Sequence, residues 1–191
     1  MATDTAEDLK TTRTDPSAAP ASLDQFLAGI SARAFRFAEL GLRHRDDALD
    51  AVQDAMARML GYRDRPAAEW TPLFWSVLRS RIVDAQRRRM FSLRWLVPTQ
   101  GGDGAIDWSE EEHPGEYDDP MRHQHGHEAW TRIAAALRSL PARQREAFTL
   151  RVFEELDVAT TASVMGCSEG AVKTHLSRAR ESLQQQLEEF R

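Results

Sequence analysis

Between Gly170 and Arg180 the sequence GAVKTHLSRAR sets cations and short hydroxyls on one side of a helical repeat: Lys173, Thr174, Ser177 and Arg178, with Arg180 on the flank. Short hydrogen-bonding side chains read base edges and cations hold phosphates, which is the chemistry of a duplex groove. A second basic set lies upstream. Arg79, Arg81, Arg87 and Arg88 follow one another along a helical pattern, preceded by Tyr62, Arg63 and Trp70. Guanidinium groups there would hold phosphates, and the rings of Trp70 and Trp75 would stack on unpaired bases. A third set is acidic. Asp46, Asp47, Asp50, Gln53 and Asp54 crowd two turns at the start of a helix, more than complementing the helix dipole requires. They read as a face for a basic protein partner.

These sets need helices to carry them. Around the first, DVATTASVMGCSEGAVKTHLSRARESL spells two short helices about a turn. Ala162 is small enough for a close helix crossing, and Gly166 can take the positive φ of a tight turn. Ser168 is a good N-cap for the second helix, and Val172, Leu176, Ala179 and Leu183 form one apolar stripe opposite the polar face. The motif is a helix-turn-helix with a recognition helix over residues 168–181. Earlier, Leu23, Phe26, Leu27, Ile30, Ala34, Phe37 and Ala38 recur at helical spacing and the pattern fades near Gly41. A helix at about 45–60 follows, expected to bury Leu49, Val52, Met56, Met59 and Leu60. Residues 61–71 read as a loop, after which Thr71 caps a helix with Pro72 at its first position, running from Leu73 to about Met90. Trp130, Ile133, Ala134, Leu137 and Leu140 mark a further helix, and Pro141 opens the next, which is expected to bury Phe148, either Leu150 or the stem of Arg151, and Val152.

The chain has 191 residues, one cysteine and a net charge of −5. That charge looks wrong for a nucleic-acid binder until it is divided along the chain. Residues 23–95 carry thirteen basic and nine acidic groups, residues 122–191 ten and nine, whereas residues 96–121 hold eight acids and no Lys or Arg. The acidity is therefore local. Composition and breakers divide the chain into a disordered tail at 1–22, a helical unit at 23–95, an acidic flexible linker at 96–125 and a second helical unit at 126–191. Beta signals are weak, so the expected fold class is all-α. His113, His123, His125 and His127 straddle the linker's end without a cysteine or acidic framework to make a metal site. No Gly-rich phosphate loop or nucleophile elbow appears, so neither an enzyme nor a cofactor is expected. The N-terminus has no apolar core of a signal peptide, no run is long enough for a membrane span, and a lone cysteine suits a reducing cytoplasm.

With both units in view, the chain resembles a bacterial sigma factor of the sigma-70 family, in the extracytoplasmic-function (ECF) group. The resemblance spans about Leu23–Leu187 and rests on three stretches: DDALDAVQDAMARML, LFWSVLRSRIVDAQRRR, and LPARQREAFTLRVFEELDVATTASVMGCSEGAVKTHLSRARESL. It implies two helical domains, called regions 2 and 4, that act on core RNA polymerase and promoter DNA with no small-molecule substrate. Asp47, Asp50, Gln53 and Asp54 match the surface that docks on the β′ clamp helices; Leu49 stands where an acid is frequent, which turns the docking toward Asp46. The β subunit is implied as a further contact. Tyr62–Trp70 and the helix to Arg89 match the elements that open and read the minus-ten element. Lys173, Thr174, Ser177, Arg178 and Arg180 match positions reading the minus-thirty-five element. The family also implies an anti-sigma inhibitor. The third stretch is similar to LuxR-type regulators as well, which leaves a free-standing helix-turn-helix regulator as the alternative.

Overall fold

The computed structural model describes residues 20, 22–42, 44–96 and 124–189, and all regular structure among them is helical. Most of the tail at 1–22, nearly all of the linker at 96–125, and His113 and His123 lie outside the described residues; His125 and His127 fall in the first turn of a helix.

Helix α1 (Leu23–Gly41) starts where Ser22 accepts the Gln25 N–H at 3.2 Å. Its buried stripe is the one its spacing predicts: Leu23, Phe26, Leu27, Ile30, Ala34, Phe37 and Ala38. Helix α2 (Arg45–Met59) turns Ala48, Ala51, Val52, Ala55 and Met59 inward, while Leu49 and Leu60, expected inside, are 37% and 47% exposed; a 3-10 turn at Leu60–Tyr62 ends it. Helix α3 (Ala67–Leu96) packs against both. Phe74, Trp75 and Leu78 are essentially inaccessible at its centre. Phe37 and Trp75 meet edge-on at 5.2 Å between ring centroids, and Phe74 and Trp75 at 5.5 Å. Full burial of such a ring stabilises by about 1.5–3 kcal/mol. Gly41 lets α1 and α3 approach closely. A Cβ there would stand 2.9 Å from Ile82 Cγ2, and Gln86 Nε2 donates to the Gly41 carbonyl at 2.7 Å.

The start of α3 corrects the sequence expectation. Thr71 is not its cap and Pro72 is not its first residue: the helix begins at Ala67, with Pro72 inside it. The missing Pro72 N–H costs one backbone hydrogen bond. Trp70 offsets that by burying its indole against Phe26, with 5.8 Å between ring centroids. Core packing overrides the local start signal.

The second unit comprises α4 (Gln124–Ser139), α5 (Ala142–Phe148), α6 (Val158–Met165) and α7 (Glu169–Glu189). Pro141 precedes α5 as its sequence position predicts. After Phe148 the backbone widens into a π turn, Thr149–Phe153, in which the Glu154 N–H reaches back to the Thr149 carbonyl at 3.1 Å. The extra residue shifts the helical phase, so Leu150 is fully buried while Val152, expected inside, is 37% exposed. Glu155 follows at φ 54.

The two units lie against each other. One apolar cluster runs through both, joining Phe74, Trp75, Leu78 and Ile82 with Ala147, Leu150, Leu156, Ala162, Val164, Met165 and Val172. A smaller cluster seats Leu40 of α1 among Ala134 and Leu137 of α4, Leu140 just after it and Ala179 of α7. Helix α6 lies directly on α3, and α4 touches α1.

Candidate nucleic-acid interface

The turn between α6 and α7 is built as the sequence indicates. Asp157 caps α6 by accepting the Thr160 N–H at 2.7 Å and the Thr160 hydroxyl at 3.1 Å. The Thr160 amide, then its hydroxyl, hold the Asp157 carboxyl below its ordinary value. Gly166 sits at φ 61, ψ 47. The Cys167 N–H reaches the Ala162 carbonyl at 3.1 Å and the Gly166 N–H reaches Ser163 at 3.2 Å, the paired bonds of a Schellman ending. Cys167 packs against the core, a structural role. The Ser168 hydroxyl then accepts the Ala171 N–H at 3.2 Å.

Val172 and Ala179 are wholly buried, which fixes the rotation of α7. Lys173, Thr174, Ser177, Arg178 and Arg180 are consequently all exposed. The Thr174 hydroxyl donates to the Gly170 carbonyl at 2.9 Å, so its oxygen remains able to accept. The helix runs on past the recognition segment to Glu189. The result is a convex basic ridge suited to a major groove.

Asp46, Asp47, Asp50, Gln53 and Asp54 share the outer side of α2 and are all exposed, with Leu49 among them at 37% exposure. Across from them the basic residues of α3 divide. Arg87 and Arg88 are exposed. Arg81 is half-buried and lines an open hollow of about 540 Å³ with Asp54, Arg58, Gly61 and Tyr62. Arg63 is exposed at its edge of the loop. A second hollow, of about 310 Å³, lies between His44, Asp47, Arg88 and Arg89. Trp70 and Trp75, assigned to base stacking from sequence, are 6% and 1% exposed, and both rings sit in the core. The Trp70 Nε1–H has no hydrogen-bond partner there. Arg79 is also turned inward. Its guanidinium donates to Glu146 of α5, and the two side chains are 19% and 15% exposed.

Sequence reasoning missed that contact and the rest of the seam. Arg143 Nη1 donates to the Met165 carbonyl at 2.9 Å and to the second oxygen of Glu146 at 3.3 Å. Arg33 of α1 lies 3.2 Å from Glu154, whose side chain is only 4% exposed. Burial pushes the Glu154 carboxyl up, against the opposing pull of Arg33 and Arg36. Arg36 also lies over the Trp130 ring at 5.6 Å. These partners are too far apart in sequence for any periodicity to signal them.

Comparison with known proteins agrees with this geometry. Residues 130–183 match the family model "Sigma-70, region 4". The "ECF RNA polymerase sigma factor EcfG" of Rhodopseudomonas palustris (strain TIE-1) is 28% identical over 163 residues, covering 84% of this chain and 81% of that protein. A "Probable RNA polymerase sigma factor" of Haemophilus influenzae is 28% identical over 170 residues, 84% and 87% of the two chains. Among solved structures, the sigma factor RpoE of Bartonella quintana, crystallised with the anti-sigma factor NepR, superimposes with a TM-score of 0.62 at 25% identity, over 86% of this chain and 98% of that one. CnrH, in complex with the cytosolic domain of CnrY, shares the fold at a TM-score of 0.57 and 18% identity, over 87% of each chain. The helix-turn-helix, the two helical units and these relatives agree: the chain is a sigma factor of the sigma-70 family, in its ECF group.

Proposed function

We propose that this sigma factor divides its work between its units, residues 23–95 and 126–191. The acidic face of α2, Asp46, Asp47, Asp50, Gln53 and Asp54, docks on a basic surface of core RNA polymerase. The loop with Tyr62 and Arg63, together with Arg79, Arg81, Arg87 and Arg88 of α3, engages the minus-ten element. Trp70 supports that surface from beneath. Lys173, Thr174, Ser177, Arg178 and Arg180 read the minus-thirty-five element in the major groove. Opening a promoter takes bases out of the stack at a few kcal/mol each; the protein contributes binding and positioning, with no chemical step of its own. The B. quintana relative was crystallised with an anti-sigma factor, so a protein inhibitor is proposed here too. No helix among the described residues is long and apolar enough to cross a membrane, and the proposed place of action is the cytoplasm, beside the polymerase.

The observation that carries this reading is the exposed row on α7, fixed in rotation by buried Val172 and Ala179. Run-off transcription with purified core and a promoter template tests it. A specific transcript that requires both proteins is expected. A chain that shifts duplex DNA alone and yields no core-dependent transcript would overturn it.

A further inference from the structure

The glycines of this chain divide by what the backbone asks of them. Gly41 is required because a Cβ would meet Ile82, and Gly166 because of its φ of 61. Gly170 is required by neither. It lies in the first turn of α7 without a positive φ, and it is exposed. Among the described residues outside its own helix backbone, only Ser168 Oγ, at 3.9 Å, would come within 4 Å of an added Cβ. A glycine inside a helix costs stability relative to alanine, since a freer unfolded chain must be ordered with no side-chain contact in return. The packing of the chain has no use for Gly170.

The use lies on the outer face. At about 100° per residue, Gly170, Thr174 and Ser177 fall within about 60° of one another around α7, and Lys173 and Arg178 stand on opposite edges of that strip, about 140° apart. All five are exposed. The strip is low. Gly170 has no side chain, Ser177 carries a single hydroxymethyl group, and the Thr174 hydroxyl is drawn back onto the Gly170 carbonyl at 2.9 Å. A low centre between two cations is the profile of a helix that sinks into a groove, with phosphates on the walls and base edges along the floor. The lowest point of the strip is its first turn, the end from which a recognition helix reaches bases.

We propose that Gly170 sets the depth of α7 in the major groove: a base edge of the minus-thirty-five element rests against its bare Cα, and a side chain there would hold the helix off. The inference rests on the reading of α7 given above and adds to it a residue with no polar side chain. Gly170 is a positioning residue. Its part is to let Thr174 and Ser177 come within hydrogen-bonding distance of the bases while Lys173 and Arg178 reach the phosphates.

The test places Gly170→Ala and Gly170→Leu in the full chain, beside Gly29→Ala and Arg178→Ala. Gly29 lies within α1 and is exposed, and among the described residues nothing would come within 4 Å of its Cβ. It therefore reports the effect of helix propensity away from α7. Thermal scans of the free chain should show Tm raised by about 1–4 °C in both glycine-to-alanine variants. Polymerase reconstituted with each chain is then titrated onto a fluorescent duplex carrying the minus-thirty-five element of the run-off template. Gly170→Ala should weaken binding about fivefold or more, the loss of one good groove contact, and Gly170→Leu should weaken it further. Gly29→Ala should bind as the native chain does. A merely structural role for Gly170 would lower Tm and affinity together. Unchanged or improved affinity in Gly170→Ala, a lowered Tm, or an equal loss in Gly29→Ala would overturn the proposal. If Arg178→Ala also binds like the native chain, the reading of α7 falls along with it; if Arg178→Ala alone weakens binding, that reading stands without the depth-setting role.

Discussion

Replacing Gly166 by alanine isolates the backbone requirement of the helix-turn-helix. The residue sits at φ 61, ψ 47, and an added Cβ would meet nothing within 4 Å. No clash contributes, so the penalty is the left-handed conformation itself, about 1–2 kcal/mol for an L-residue. Alanine also narrows the unfolded ensemble, offsetting roughly 0.4–1 kcal/mol. The expected net loss is about 1 kcal/mol. If the chain melts as one body this lowers Tm by about 2–4 °C; if the C-terminal unit melts alone, by about 4–8 °C. Urea titration followed by circular dichroism gives the free energy, and thermal scans give the shift. Asparagine tolerates this region better, so Gly166→Asn should fall between the native chain and Gly166→Ala, while valine should be worse than alanine. An alanine variant as stable as the native chain, or asparagine no better than alanine, would refute the conformational account. A loss above about 3 kcal/mol would mean that packing, not backbone, sets the requirement.

Arg178→Ala should weaken binding to minus-thirty-five duplex and reduce transcription from promoters that depend on it, leaving core affinity intact; if Arg178 holds a phosphate, the slope of log K against log salt should fall by about 0.9. Asp50→Lys should slow and weaken association with core polymerase, read by surface plasmon resonance, because it reverses charge within the acidic face of α2; unchanged affinity would place docking elsewhere. Glu154 supplies a pH prediction. Its folded pKa is raised by burial from the ordinary 4.5, so the stability linked to it is present below that value and is lost as pH rises through the folded value. Glu154→Gln should therefore gain on the native chain in urea titrations as pH rises through that window, and a constant difference would contradict the assignment.

Local signals carried much of this architecture. The stripe from Leu23 to Ala38, the break at Gly41, Pro141 before α5, and the Asp157, Gly166 and Ser168 sequence around the turn all act within a few residues, and each appears where its chemistry predicts. The apolar positions Val172 and Ala179 sufficed to orient the exposed row of α7. What escaped was tertiary. Trp70 looked like an aromatic at the mouth of a loop, but its large apolar surface finds Phe26 on α1 and carries the start of α3 with it. Arg79 looked like one cation among several on a basic helix, and only a glutamate from the other unit separates it from them. Neither contact leaves a mark in spacing, because the partners sit on different helices and meet only when those helices pack.

The wide turn at Thr149–Phe153 has an engineering consequence. One residue in an α-helix corresponds to about 100° of rotation, so the surplus residue acts as a phase adjuster between α5 and everything downstream. Deleting a single position there would let the backbone revert to ordinary winding and swing Leu150 and Leu156 away from their present sockets. Insertions and deletions in this short span should therefore be far less tolerated than point changes at its outward-facing Val152 and Phe153, and a library of length variants would trace the setting of that dial directly.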